Sequence, residues 1–498
     1  MKNKIYTNVH NSFDKILLRE KDSAGKETKG EQEFKPYVYI ATTDDSEYKT
    51  IAGESVNKLD FGSYAEYREF IRDYSTVKNM EIHGVIGFEY QYIHDNYPDT
   101  TDYSFDVLDI MYFDIETECE DGFPVIETAN EKVISIALKR KNDKRVYCLG
   151  TYVAKDPEMQ VFMFTDEKQL LKAFIDYFQA SPPDILTGWN IKFFDIPYLV
   201  NRIKNVFSVK ESKRLSPWKK ISEKMVNFKG KENQTYELIG ISTLDYYELY
   251  QKFTYVTRES YSLNNISYVE LGETKLAYDE YDTIADFYKN DFQKFVEYNI
   301  HDVVLVEKLE AKLKLLELAV ALAYNAGVNF SDVFGQVKMW DVIIYNDLLK
   351  RKIVIPPKKH SSKDEQFAGA YVKDPIVGIH KWIVSFDLAS LYPNLIIQYN
   401  ISTETLTKDG RFKINPLGVL NKDKETLDII DMHRKKDLSV AANGTTYLKT
   451  KQGFLPGLMD RMYTDRKMYK EKMLNAQKDL QLVDAELKRR RDIIYLTS

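Results

Sequence analysis

At 498 residues the chain is too long for one hydrophobic core and predicts about three domains. Its 44% hydrophobic and 29% charged residues exclude a disordered tail, a collagen-like chain and a disulfide scaffold. The net charge of −6 does not announce nucleic acid, yet residues 201–235 carry ten Lys and Arg against three acids, and residues 461–491 ten against five.

Two cysteines, Cys119 and Cys148, in so long a chain point to a reducing compartment. The opening Met1-Lys2-Asn3-Lys4-Ile5-Tyr6 has no apolar signal region, and no run of ~18 apolar residues follows. A protein neither secreted nor membrane-spanning is expected. The 36 tyrosines supply base-stacking faces or simply core.

Along the chain, the first hundred residues mix alternating runs such as Tyr37-Val38-Tyr39-Ile40 with polar turns, a small α+β region. From about Val107 the pattern becomes α/β. Leu108 to Ile115 and Val133 to Leu138 read as strands, Glu167 to Gln179 as an amphipathic helix, and Asp184 to Thr187 as a strand after Ser181-Pro182-Pro183. Met225 to Ile241, with Lys229-Gly230-Lys231 at its tip, reads as a β-hairpin. Asn299 to Tyr324 is expected to be helical throughout, with Leu305, Leu309, Leu313 and Leu316 at helical spacing. Pro356-Pro357 and the polar run to Gln366 mark a boundary. Trp382 to Phe386 then reads as a strand opening another α/β region, and Gly457 to Ser498 as one or two long charged helices.

Four carboxylates stand out. Asp114 and Glu116 are two apart at the end of an apolar strand, so both point the same way, and aligned acids need a cation or protons between them. Tyr298 and Asp302, four apart on a helix, share a face. With Asp195 these acids offer oxygen ligands to two Mg²⁺ or Mn²⁺ ions, which would stabilise the attacking and leaving oxygens of a phosphoryl displacement. Tyr298 would orient the attacking water. Each piece alone is weak. An Asp-X-Glu strand end is more often a solvated edge, a helical Tyr-X-X-X-Asp is usually a surface pair, and Asp195 also suits a helix cap.

Together and in this order, the pieces resemble the DEDD-type 3′–5′ exonuclease with a tyrosine in its third motif. Thr187-Gly188-Trp189-Asn190, Leu244-Asp245-Tyr246, Tyr261-Ser262-Leu263 and Tyr298-Asn299-Ile300-His301-Asp302-Val303 resemble the proofreading domain of family B DNA polymerases, in particular those of T-even-type bacteriophages. The resemblance runs from the N-terminus almost to residue 498. It implies an N-terminal α+β domain (1–106 and 315–360), a ribonuclease H-like exonuclease domain (107–314), a partial palm (361–456) and a partial fingers helix (457–498). It implies that Asp121-Gly122-Phe123-Pro124 meets the unpaired primer end, with Phe123 stacked on a base or buried as a core aromatic. The hairpin, with Lys229 and Lys231, would help part the primer from its template.

Ser385-Phe386-Asp387-Leu388-Ala389-Ser390-Leu391-Tyr392-Pro393 matches the first polymerase motif of that family. By resemblance, Asp387 and the Leu388 backbone hold Mg²⁺, Ser390, Leu391 and Tyr392 hold a deoxynucleoside triphosphate, and Tyr392 excludes a 2′-hydroxyl. Arg466 and Lys470 grip its phosphates, as cations at helical spacing can; the bland reading is a solvated helix face. Ala368-Gly369-Ala370-Tyr371-Val372 resembles a template contact through Gly369 and Tyr371, and equally a tight turn into a strand.

The Lys-X-X-X-Asn-X-X-Tyr-Gly and Asp-Thr-Asp motifs of a complete polymerase site are not in the sequence. The chain is therefore expected not to polymerise DNA alone. The expected role is the N-terminal subunit of a split replicative polymerase, acting on primer-template and single-stranded DNA. A second chain would supply the remaining fingers, palm and thumb, and a sliding clamp would be met through that chain. The expected location is the cytoplasm of an infected bacterium, with no membrane partner. A truncated or stand-alone exonuclease, and a translational regulator binding messenger RNA, are the alternatives.

Overall fold

The computed structural model describes residues 4–77, 80–98, 103–120, 122–228, 230–357, 372–407, 414, 416–441 and 443–497. The chain divides into two compact units, one of residues 1–39 and 58–346, the other of residues 40–57 and 347–498.

The first unit begins with an antiparallel sheet of β1 (Lys4–Ser12), β2 (Lys15–Asp22) and β3 (Glu27–Glu33). Strands β4 (Tyr37–Ala41), β5 (Tyr48–Thr50), β6 (Ser55–Asp60) and β7 (Ile82–His83) come next along the chain, β5 within the second unit, with helices α1 (Tyr64–Tyr74) and α2 (Phe88–Asn96). From β2, Arg19 carries a fully buried guanidinium that donates to the carbonyls of Pro183 and Gly240, each at 2.7 Å, and lies 3.3 Å from buried Asp184. A buried charge persists only when so paired.

A six-stranded sheet forms the centre of this unit. Its strands are β8 (Ile110–Thr117), β9 (Val133–Arg140), β10 (Asp143–Cys148), β11 (Met159–Met163), β12 (Ile185–Thr187) and, further on, β15 (Ser242–Thr243). The spatial order is β11-β10-β9-β8-β12-β15, with β8 antiparallel to β9 and parallel to β12. Alternation along β8 sends Met111, Phe113 and Ile115 into a core shared with α3 (Glu167–Ala180) and α4 (Asp195–Val206), through Leu170, Phe174, Leu199 and Ile203. Burial of such side chains contributes ~1.5–3 kcal/mol each. After α5 (Val209–Ser212), a separate hairpin pairs β13 (Ile221–Phe228) with β14 (Lys231–Leu238), from Ile221↔Leu238 to Phe228↔Lys231. It starts four residues before the expected Met225 and ends before Ile241, because Tyr236 and Leu238 are anchored in the same core as β8.

Helices α6 (Tyr246–Phe253), α7 (Leu263–Leu271), α8 (Ile284–Asn290), α9 (Phe292–Leu313), α10 (Leu315–Ala326) and α11 (Gln336–Lys350) follow. The helix expected over 299–324 is two helices. Lys314 takes a left-handed conformation (φ 57°), and the Glu310 carboxylate accepts from the Leu316 N–H at 3.0 Å, capping the start of α10. Apolar spacing runs on through the break because both helices bury one face.

In the second unit β16 (Ile353–Val354) pairs in parallel with β5. Helices α12 (Leu391–Tyr399), α13 (Pro416–Leu420) and α14 (Lys424–Arg434), a hairpin of β17 (Leu438–Val440) and β18 (Thr446–Leu448), and the 44-residue α15 (Phe454–Thr497) complete it. The strand expected over 382–386 does not form: Trp382, Ile383, Val384 and Phe386 are 70–97% exposed. An extended segment becomes a strand only against a neighbour, and among the described residues none lies beside it. Among the described residues no helix is long and apolar enough to cross a membrane.

Candidate active site

The alternation that buries one face of β8 turns Tyr112, Asp114 and Glu116 to the other, where α9 packs against β8 and β9. Helical spacing on α9 presents Tyr298, Asn299 and Asp302 to this face. One carboxylate oxygen from each of Asp114, Glu116 and Asp302 lies within 4.8 Å of the others. Asn299 Nδ2 donates to Asp114 Oδ2 at 2.6 Å, and its Oδ1 accepts from Ser135 Oγ at 2.7 Å. These two bonds fix the Asp114 carboxylate.

Asp195 is placed by different means. It opens α4, and its Oδ1 accepts the Ile115 N–H of β8 at 3.0 Å. The turn from β12 runs against β8, where a Cβ on Gly188 would lie 2.3 Å from the Phe113 carbonyl oxygen. Buried Asp245 accepts the N–H groups of Asn190, Lys192 and Tyr247, each at 2.9 Å. The structure therefore gathers three of the four acids and holds Asp195 one hydrogen bond from the strand that carries two of them.

Desolvation and mutual repulsion dominate the electrostatics. Asp114 is pushed well above the usual carboxylate range by burial first, then by Asp195, Asp302 and Glu116. Burial lifts Glu116 to about 8 and Asp195 to about 7, and raises Asp302. Lys275 opposes this: its Nζ sits 2.5 Å from Asp302 Oδ2 and 4.5 Å from the Tyr298 ring centroid. Asp302 Oδ1 is buried with no hydrogen-bond partner among the described residues. An oxygen-only donor set with one unpaired carboxylate oxygen fits a hard divalent cation.

Tyr298 is half-buried, its ring edge-on to Tyr278 and Phe287. Lys275 and Asn299 were not singled out from sequence. Lys275 lies in an irregular stretch with no periodicity to mark it, and Asn299 is a polar residue beside a stronger signal. Phe123 is 80% exposed, follows Gly122 (φ 100°) and lies 5.3 Å from the Phe194 ring, so it is not core. Lys231 is exposed at the start of β14, while Lys229, Gly369 and Tyr371 lie outside the described residues.

In the second unit Asp387 and Leu388 are exposed, and Ser390 (φ 53°) immediately precedes α12. Tyr392 is in its first turn, 72% exposed. Helix α15 packs on α12, and Arg466 donates to Ser390 Oγ at 3.1 Å. A cation from the last helix thus meets the Asp387 motif; Lys470 is exposed one turn further on.

One unit thus carries an acidic cluster and the other an Asp387 motif touched by Arg466. The family model for the exonuclease domain of DNA polymerase family B matches residues 72–266, and that for DNA polymerase family B matches residues 334–488. The chain belongs to family B of the DNA polymerases. Tyr298 and Asp302 fall between the two matches. The chain is similar to the DNA-directed DNA polymerase of Escherichia phage RB69, 32% identical over 97% of this chain and 55% of that protein. Against the DNA-directed DNA polymerase of Enterobacteria phage T4 it is 28% identical over 96% of this chain and 55% of that protein. The DNA polymerase delta catalytic subunit of Schizosaccharomyces pombe is 27% identical, over 73% of this chain and 34% of that protein. The chain spans about half the length of the phage relatives it matches.

Proposed function

We propose that this chain is a 3′–5′ exonuclease that proofreads DNA, built on a ribonuclease H-like domain and joined to half of a polymerase site. The observation that carries the reading is the convergence of Asp114, Glu116 and Asp302 on one face of the exonuclease domain, with Asp195 tied to the same strand. Asp114, Glu116, Asp195 and Asp302 would hold two Mg²⁺ or Mn²⁺ ions, which supply charge neutralisation at the phosphate and an activated water. Tyr298 would orient the attacking water. Water oxygen bonds to the phosphorus of the last phosphodiester, and the bond from that phosphorus to the 3′-oxygen of the preceding nucleotide breaks. The water's proton ends on that 3′-oxygen as a hydroxyl, and a nucleoside 5′-monophosphate leaves. Lys275 holds Asp302 and the Tyr298 ring in place and offsets part of the acid charge. Exposed Phe123 stacks on the terminal base, and the β13–β14 hairpin keeps the template strand from following it.

At the other site Asp387 and Leu388 would hold one Mg²⁺, with Ser390, Leu391, Tyr392, Arg466 and Lys470 around a deoxynucleoside triphosphate. Gly369 and Tyr371 would contact template. The Lys-X-X-X-Asn-X-X-Tyr-Gly and Asp-Thr-Asp motifs must come from polypeptide beyond this sequence, a second chain in the split form, through which a sliding clamp would also be met. The place of work is the cytoplasm of the infected host.

The test is degradation of a 5′-labelled single-stranded oligonucleotide by the purified chain with Mg²⁺ or Mn²⁺. Stepwise shortening from the 3′ end is expected, and its loss in Asp114→Ala/Glu116→Ala with an unchanged thermal transition. An inactive wild-type chain, or an active double variant, overturns the assignment.

A further inference from the structure

Helix α4 does more than present Asp195. Its N-cap residue, Phe194, lies against Phe123. Along the helix Tyr198 donates to Glu131 O at 2.7 Å, Asn201 to Ile126 O at 2.9 Å, Arg202 to Asn130 O at 2.7 Å and Asn205 to Thr128 O at 2.6 Å. The segment that descends from Phe123 is thus clamped, carbonyl by carbonyl, to the helix that carries a metal-site acid.

One of these side chains also reaches the hairpin. Asn201, 6% exposed, donates to Gln234 Oε1 at 2.9 Å and accepts from Tyr236 Oη at 2.7 Å. Gln234 and Tyr236 bond each other at 3.0 Å, and both bond Glu223 across the hairpin. Lys204 joins the same group, donating to Tyr236 Oη at 2.6 Å. Among the described residues the outer hairpin pairs only with itself, so a load on it is resisted at this knot, whose centre, Asn201 and Tyr236, is buried while Glu223 is exposed. In a low-dielectric setting such bonds are stiff and directional.

We infer that Asn201 is a specificity-setting positioning residue that couples the hairpin to the Phe123 segment, so that duplex ends depend on it and single strands do not. The inference rests on the exonuclease reading above. A single strand reaches the acids without strand parting and puts no load on the hairpin. A paired 3′ end must be opened, and the polar link between the hairpin and the Phe123 segment runs through Asn201 and its neighbours, beside the apolar anchoring of Tyr236 and Leu238.

The test compares 3′ degradation of single-stranded, mismatched and fully paired substrates by the full chain. Tyr236→Phe removes the hydroxyl on the hairpin side of the knot and leaves the bond to Ile126 O intact. It is expected to lower the kcat on paired ends about tenfold, the loss of one or two buried hydrogen bonds. Its single-strand rate is expected to stay within about twofold of wild type. Asn201→Leu should show the same direction, and if it fails to fold the Tyr236→Phe result stands alone. Equal loss on all three substrates, or no loss on paired ends, overturns the coupling while leaving the exonuclease standing. A wild-type chain inactive on single strands overturns both.

Discussion

At the residue scale the acidic cluster is an arrangement the fold tolerates at a cost in free energy. Glu116 and Asp195 ionise at about 8 and about 7 because burial disfavours their charge. A carboxyl whose folded pKa is raised contributes stability below its unfolded value of ~4, and that contribution is lost as pH rises through the folded pKa. A divalent cation bound among these acids would take the protons' place. The rise in melting temperature on adding Mn²⁺ is therefore expected to be larger at about pH 8.5 than at about pH 6, as read by calorimetry. An equal rise at both would disprove the shift. The role proposed for Tyr298 is separate from metal binding. Tyr298→Phe is expected to slow the exonuclease on the order of 10²–10⁴-fold without weakening a Mn²⁺ titration, whereas Asp302→Ala should weaken it. Identical titration curves for the two variants would contradict that division.

At the element scale, β8, the turn after β12 and α4 form one unit. Gly188 permits the turn to pass the Phe113 carbonyl, where an added Cβ would stand at 2.3 Å. Backbone cannot yield as a flexible side chain does. Gly188→Ala is expected to destabilise by about 1–3 kcal/mol and to reduce nuclease activity, since Asp195 rides on the displaced helix. A denaturant midpoint unchanged from wild type would refute the close approach. The break at Lys314 teaches the same lesson in reverse: Glu310, capping α10, ends one helix and starts the next where apolar spacing alone reads as continuous.

For the whole molecule, the two sites make different demands. Asp114, Glu116, Asp195 and Asp302 all lie in one compact unit. In the other unit Asp387 belongs to no cluster of three or more candidate metal-ligating side chains among the described residues, and it follows an apolar segment 70–97% exposed. Unpaired extended backbone with apolar side chains seeks a neighbouring strand. Primer extension is expected to be absent for this chain alone. It should appear on mixing with polypeptide bearing the Lys-X-X-X-Asn-X-X-Tyr-Gly and Asp-Thr-Asp motifs. Asp387→Ala should abolish that extension and spare the exonuclease. Synthesis by this chain unaided would sink the half-site reading.

Local chemistry sufficed for much of this. Strand alternation put Asp114 and Glu116 on one face, and helical spacing put Tyr298 with Asp302, because both periodicities are properties of the backbone itself. The Asp387 motif was legible for the same reason, as a contiguous run of residues. What the sequence could not determine were the meetings between distant segments. Lys275 reaching Asp302, Asn299 fixing Asp114 and Asn201 joining α4 to the hairpin are contacts with no period or spacing to mark them. The strand expected at 382–386 failed on the same ground, since pairing is a property of two segments and only one is described here. Only tertiary packing brings such groups within hydrogen-bonding reach, and only the desolvation that comes with packing turns a row of ordinary acids into a cluster whose ionisation is suppressed.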